Sequence, residues 1–236
     1  MTRLESEIDR MGHKRRIGIY GGTFDPVHLG HLDVARKVSQ LFELDELLFV
    51  PALHAPHKLS HPVTSHFHRY AMLVLATKDD PQLHVSTFEL EESNRRYTVE
   101  TVAHFQELFG NAAQLFFIMG ADSWSEITTW HEWRRLLSMT NHIVVTRPRF
   151  EVREDTLPGF PGQRIVDLRG GKSPDLATAG EKGVVFISDA VFNDVSATQI
   201  RRAAADLSIE ELRKLLPEPV AQYVKKYGLY RDSNEA

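Results

Sequence analysis

The sequence predicts an α/β fold: a doubly wound parallel sheet with helices on both faces and a small helical extension at the C-terminal end. Three observations carry that expectation. Short apolar runs rich in β-branched and aromatic residues recur along the chain, and they mostly do not alternate with polar residues, as expected of strands covered on both faces. Longer stretches with apolar residues at three- and four-residue spacing separate them, the pattern of amphipathic helices. Strand and helix alternate throughout, which is the layout of a Rossmann-like sheet that binds ligands beyond the carboxyl ends of its strands.

In chain order, MTRLESEIDRMGHKRR is charged and has no apolar h-region. Residues 1–15 therefore read as a polar leader, mobile up to the first strand, and not as a secretory signal. Residues 16–236 are expected to form a single domain. The strands are RIGIY (16–20), ELLFV (46–50), LHVS (83–86), QLFFIMG (114–120), HIVVT (142–146) and GVVFIS (183–188). The helices between them are HLDVARKVSQLF, SHFHRYAMLVLAT, TVETVAHFQELF and WHEWRRLLS. Residues 147–182 are rich in Pro, Gly and charge; they read as a long mobile loop with one short strand at RIVDL. The C-terminal part, 196–236, reads as three successive helices. Ser208 and Glu211 have the spacing of a capping box, and Pro219 suits the first turn of the last helix.

At 236 residues, 42% of them hydrophobic, the chain can bury a large core without covalent staples. It has no cysteine, which excludes disulfides and thiolate metal sites and fits a reducing cytoplasm. No run of apolar residues is long enough to span a membrane. A net charge of −4 argues against a nucleic-acid surface. The basic pairs Arg15-Arg16, Arg95-Arg96, Arg134-Arg135 and Arg201-Arg202 remain free to meet a small anion. Oligomeric state is left open, a homo-oligomer included.

The stretch with the most chemistry is YGGTFDPVHLGH (20–31). Gly21 and Gly22 follow an apolar strand and would let backbone turn and approach a ligand closely. Asp25-Pro26 is a turn-former leading into a helix that should start near His28. His28 and His31, at i and i+3, would share one face of its first turn. Unpaired backbone N–H groups and the positive end of the helix dipole gather at the same place, and a phosphate is what such a place attracts. The two histidines could instead be core filler or metal ligands, although zinc needs further ligands and i, i+4 is the commoner metal spacing on a helix.

With its strand context, GGTFDPVHLGH resembles the signature of the HxGH-type nucleotidyltransferase superfamily. The whole span from Arg16 to Tyr230 resembles one branch of it, the bacterial nicotinate mononucleotide adenylyltransferases. That resemblance implies a catalytic role for His28, His31 and Arg201. It implies ATP binding by Gly21, Gly22, Thr23, Phe24, His28, His31, Ser196, Thr198 and Arg201. Four further stretches carry it: LHAPHK (53–58), NRRYTVETV (94–102), MGADSWSEITTWHEW (119–133) and DVSATQIRR (194–202). They imply that Lys58 holds phosphate, that Tyr97 and Thr98 receive the pyridine carboxylate, that Asp122 meets ribose hydroxyls, and that Trp130 stacks on the pyridine ring. Trp124 and Trp133 are rivals for that last role. The chain departs from the family pattern at Arg96, Val195 and Ala197.

The activity so implied is adenylyl transfer from ATP, with Mg2+, to nicotinate mononucleotide, a step of NAD biosynthesis in the cytoplasm, with small molecules as its only partners and no protein-held metal. Nicotinamide mononucleotide as acceptor and a catalytically silent nucleotide sensor are the alternatives. Phosphopantetheine adenylyltransferases lack the GAD…W stretch, and class I aminoacyl-tRNA synthetases would carry a KMSKS-like loop. A metal-binding role for the histidines of HAPHKLSHPVTSHFH (54–68) is a further rival.

Overall fold

Every apolar run named above joins one sheet. A computed structural model describes residues 14–53, 63–91, 97–146, 164–175, 182–189, 195–204 and 208–230. Its strands are β1 (Arg15–Gly22), β2 (Glu46–Pro51), β3 (Leu83–Val85), β4 (Ala113–Gly120), β5 (Asn141–Val145), β6 (Arg164–Asp167) and β7 (Val184–Ser188). They lie in the order β3-β2-β1-β4-β5-β7-β6, and all neighbours are parallel. The short strand expected at RIVDL is β6, at the sheet edge.

The absence of polar alternation has a direct cause. On β4, Phe116 and Ile118 enter one hydrophobic core, while Leu115, Phe117 and Met119 enter the core on the opposite face. Both faces are dry, so both side-chain sets must be apolar. One face is covered by α1 (Leu29–Leu41) and α2 (His66–Thr77), with α6 (Ala197–Ala203), α7 (Ile209–Arg213) and α8 (Glu218–Lys226) from the C-terminal part. The other carries α3 (Thr98–Phe109), α4 (Ala121–Ser125) and α5 (Trp133–Met139).

The first strand, β1, lies in the middle of the sheet; the chain runs outward through β2 and β3, then returns to place β4 on the far side of β1. Strand order therefore reverses between β1 and β4. The helices leaving these two strands diverge to opposite faces and open a crevice at their carboxyl ends.

Local differences from expectation are small and have physical reasons. Strand β1 begins at Arg15, inside the expected leader, whose residues 1–13 lie outside the described residues. Helix α1 begins at Leu29, with His28 as its extended N-cap. The helix expected from Trp130 begins only at Trp133, because Glu132 adopts a left-handed conformation (φ 48°) that breaks the helix before it. Helix α4, five residues long, is too short to show a periodicity. At the C-terminal end, Ser208 N–H donates to Glu211 Oε2 (2.8 Å) and Glu211 N–H to Ser208 Oγ (3.2 Å), completing the capping box. Among the described residues no helix is long and apolar enough to cross a membrane. Of the 147–182 connection, 147–163 and 176–181 lie outside the described residues.

Candidate active site

A cleft of about 860 Å³ lies at the switch point, floored by the ends of β1 and β4. That is large enough for two nucleotide-sized ligands in contact, at the upper end of small-molecule sites. The β1 end contributes Gly21 and Gly22. These are the last residues of an extended strand, not the turn expected of them. Glycine is needed for another reason: a Cβ on Gly21 would sit 3.0 Å from the Phe117 ring, and one on Gly22 2.9 Å from the Phe24 ring.

Thr23 and Phe24 continue the wall. Phe24 has φ 49°, which turns its ring down into the core. There it meets Tyr20, Phe49 and His31 edge-on, at 5.4, 5.3 and 5.0 Å between centroids. Any contact with a nucleotide would thus come mainly from the Phe24 backbone. The Asp25-Pro26 peptide is cis. His28 and His31 line the cleft together, with their rings stacked at 3.7 Å and 26°. His28 N–H donates to His31 Nδ1 at 3.2 Å. With Nδ1 accepting, a neutral His31 carries its proton on Nε2 and presents that nitrogen as a donor.

Across the cleft stand Ser196 and Thr198, Ser196 being the extended N-cap of α6. Arg201, one turn on, is not in the lining. Its Nη1 donates to the Asp25 carbonyl (2.7 Å) and its Nη2 to Thr198 Oγ1 (3.1 Å). Helix α6 is thereby moored to the histidine loop. The remaining donors of the guanidinium fork stay available to an anion.

The β4 end forms the second half of the cleft, with Tyr97, Thr98, Asp122 and Trp130 in its lining. At Gly120 the Asp122 carboxylate occupies the space a Cβ would take, so a larger residue there would turn that carboxylate aside. Of the three tryptophans, Trp124 and Trp133 are buried in the core, whereas Trp130 borders the cleft, edge-on to Phe117 at 6.4 Å. Tyr97 is the N-cap of α3, and its N–H is already bonded to Glu100 Oε2 at 2.7 Å. Thr98, the first residue of α3, brings a first-turn N–H and a hydroxyl to this wall.

Lys58, Arg96 and the histidines 54, 57 and 61 lie outside the described residues. The His66 ring lies tilted against that of Phe67 (4.0 Å, 40°), and His68 Nδ1 lies 2.9 Å from the Tyr223 hydroxyl. Several residues escaped sequence reasoning. His131 lines the cleft and stacks on Tyr97 at 4.2 Å; its place beside Trp130 was the available hint. Glu89, also in the lining, accepts from Thr101 Oγ1 at 2.6 Å and gave no signal. Arg69 did give one: it shares the apolar stripe of α2 with Met72 and Leu73, an odd place for a cation.

A family model described as cytidylyltransferase-like matches residues 19–203. The chain is 39% identical over 225 residues to a probable nicotinate-nucleotide adenylyltransferase of a Thermoanaerobacter species, covering 95% of this chain and 99% of that one. A probable nicotinate-nucleotide adenylyltransferase of Thermus thermophilus is 35% identical over 216 residues, covering 92% of this chain and all (100%) of the other. Among solved structures, a Plasmodium falciparum nicotinic acid mononucleotide adenylyltransferase complexed with NaAD shares the fold. Its TM-score is 0.68 at 21% identity, over 92% of this chain and 97% of that chain. Two relatives matched nearly end to end, and a family model that takes in both the histidine loop and the start of α6, leave one assignment: the chain belongs to the nicotinate-nucleotide adenylyltransferase family of cytidylyltransferase-like proteins.

Proposed function

We propose that the protein transfers the adenylyl group of ATP to nicotinate mononucleotide, yielding nicotinate adenine dinucleotide and pyrophosphate, a step of NAD biosynthesis. One observation carries the reading. A single cleft joins a phosphate-type half, built on the stacked His28 and His31, to a second half built on Thr98, Asp122 and Trp130. A nucleotidyl transfer needs this pairing of two ligand sites, and the full-length relatives support the choice of substrates.

The acceptor's phosphate monoester has a second pKa near 6 and is largely dianionic at neutral pH, so its oxygen attacks the α-phosphorus without a protein base. A phosphorus–oxygen bond forms there as the bond to the β-phosphate oxygen breaks, and pyrophosphate leaves with that electron pair. Catalysis is then positioning and charge neutralisation. His28 and His31 donate to the non-bridging phosphate oxygens, Arg201 offers its remaining donors to the leaving pyrophosphate, and Lys58 neutralises phosphate charge. ATP enters as its Mg2+ complex, the ion held by phosphate oxygens and water. Among the described residues no three His, Asp or Glu side chains cluster as a metal cage. We place the activity in the cytoplasm.

At the other half, the N–H and hydroxyl of Thr98 receive the pyridine carboxylate, Asp122 accepts from ribose hydroxyls, and Trp130 covers the ring. Trp130→Ala is expected to raise KM for the mononucleotide roughly tenfold, the order of one lost stacking contact, with KM for ATP unchanged. An equal rise in both KM values would remove Trp130 from the acceptor site.

The deciding experiment measures pyrophosphate release from Mg-ATP with nicotinate mononucleotide, nicotinamide mononucleotide and phosphopantetheine as acceptors. A kcat/KM about tenfold or more in favour of the nicotinate form is expected, about 1.4 kcal/mol of discrimination. A preference for nicotinamide mononucleotide would overturn the acceptor assignment while leaving the chemistry. Silence with all three would overturn the enzyme.

A further inference from the structure

Beneath the cleft, the loop that carries His28 is fastened by side chains from distant parts of the chain. Asp25 is only 4% exposed. Its Oδ1 accepts from the Tyr230 hydroxyl at 2.7 Å, and its Oδ2 from the Thr64 N–H at 3.1 Å. Arg69 is 1% exposed and donates to three backbone carbonyls: Nε to Thr64 (2.9 Å), Nη1 to Thr23 (2.7 Å) and Nη2 to Leu53 (3.3 Å). Arg201 adds its bond to the Asp25 carbonyl. One buried cation therefore ties the histidine loop to the chain on either side of residues 54–62. The loop's own buried anion is tied to Tyr230, beyond the end of α8.

This arrangement is more than packing requires. Burying a carboxylate and a guanidinium is expensive unless each is fully paired, and apolar side chains of similar volume often serve stability as well or better. Hydrogen bonds add what apolar contacts lack, a fixed direction. Asp25 sits three residues before His28, so the direction of its carboxylate sets the path by which the chain enters α1. Burial, with the Asp25 charge beside it, pushes the Tyr230 phenol upward from its ordinary range, and the hydroxyl keeps its proton and its role as donor.

We propose that Tyr230 is a positioning residue for adenylyl transfer: by fixing the Asp25 carboxylate from beyond the end of α8, its hydroxyl holds His28 and His31 in register with the α-phosphorus of ATP. This rests on the adenylyl-transfer reading above. Tyr230→Phe removes a single oxygen and keeps the ring. It is expected to lower kcat roughly tenfold through misplacement of the donors, with KM for nicotinate mononucleotide unchanged. Tyr223→Phe is the matched comparison. Its hydroxyl also makes one side-chain contact, to His68 Nδ1 at 2.9 Å, but touches no part of the histidine loop, so its kcat should equal that of the wild type. Asp25→Asn gives a second route, since its amide has one acceptor oxygen where the carboxylate uses two, for Tyr230 and for Thr64, and it should reproduce the kcat loss at unchanged acceptor KM. Thermal melting of each variant confirms that all are folded at the assay temperature.

Wild-type kcat in a folded Tyr230→Phe, or an equal loss in Tyr223→Phe, overturns the positioning role. Should Tyr230→Phe fail to fold, an unchanged kcat in Asp25→Asn overturns it instead. A wild-type protein silent with every acceptor would overturn the adenylyl-transfer reading and this role with it. An active wild type beside an unaffected Tyr230→Phe would overturn only the role.

Discussion

Replacing His31 with alanine is expected to lower kcat for adenylyl transfer by roughly two to three orders of magnitude, the usual loss when one preorganised donor to a developing charge is removed. KM for nicotinate mononucleotide should stay near its wild-type value. The imidazole has two functions that the substitution removes together. Its Nδ1 accepts from the His28 N–H at the start of α1, and its ring backs that of His28 at 3.7 Å. The two histidines should therefore act as one unit: the double variant His28→Ala/His31→Ala would lose little more than either single one, as groups acting in concert do. Steady-state pyrophosphate release on all three variants checks this. Near-normal turnover in His31→Ala would remove the histidine from catalysis, and fully additive losses would separate the two rings.

A second large effect is expected in stability against pH, and it involves a histidine far from any substrate. His142, on β5, is fully buried (0% exposed) and lies 6.1 Å from the Phe117 ring. Burial pushes its pKa down from the usual 6.5 to about 3, against a weaker upward pull from the Thr140 backbone. The neutral ring is the native form. Above pH 6.5 neither the folded nor the unfolded chain protonates it, and the folded state keeps its full stability. As pH falls below 6.5 the unfolded chain takes up a proton that the folded one refuses, so stability drops by about 1.4 kcal/mol per pH unit, until the folded pKa is reached. His142→Leu, close in volume and without a titrating group, should flatten this fall. Urea denaturation of both proteins at pH 7.5, 6 and 5 makes the test, since few carboxylates titrate in that window. Equal pH slopes for the two proteins would mean that the ring is protonated, or reached by water, in the native state.

The sheet was legible in the sequence because its strands are dry on both faces. RIGIY, QLFFIMG and GVVFIS needed no partner to be recognised, since continuous apolar runs flanked by turns have few other uses. The capping box at Ser208 and Glu211 was legible for a similar reason: it is a local device whose parts lie three residues apart. Helix α4 and the late start of α5 were not legible. A helix of five residues has no period to detect, and the break before Trp133 depends on one left-handed residue, Glu132, with no glycine to announce it. The glycines at 21 and 22 were marked as special, but the reason lay with two phenylalanine rings, Phe117 and Phe24, that pack where a Cβ would be.

What the sequence by itself determined was local: the order of the strands and of the longer helices, the histidine pair at the first turn of α1, and the residue types suited to phosphate and to a flat aromatic ring. The tertiary structure alone decided which of these meet. Strand order places the end of β1 beside the end of β4, so that His31 and Asp122 share a cleft although 90 residues of unrelated pattern lie between them. It also decided that Trp130, and neither Trp124 nor Trp133, borders that cleft. The fastening of the Asp25 carboxylate by Thr64 and Tyr230, and of the Thr23 carbonyl by Arg69, was invisible for the same reason. A hydrogen bond needs its partners within about 3 Å, and proximity between residues 25 and 230 is a property of the folded chain, with no trace in the spacing of either.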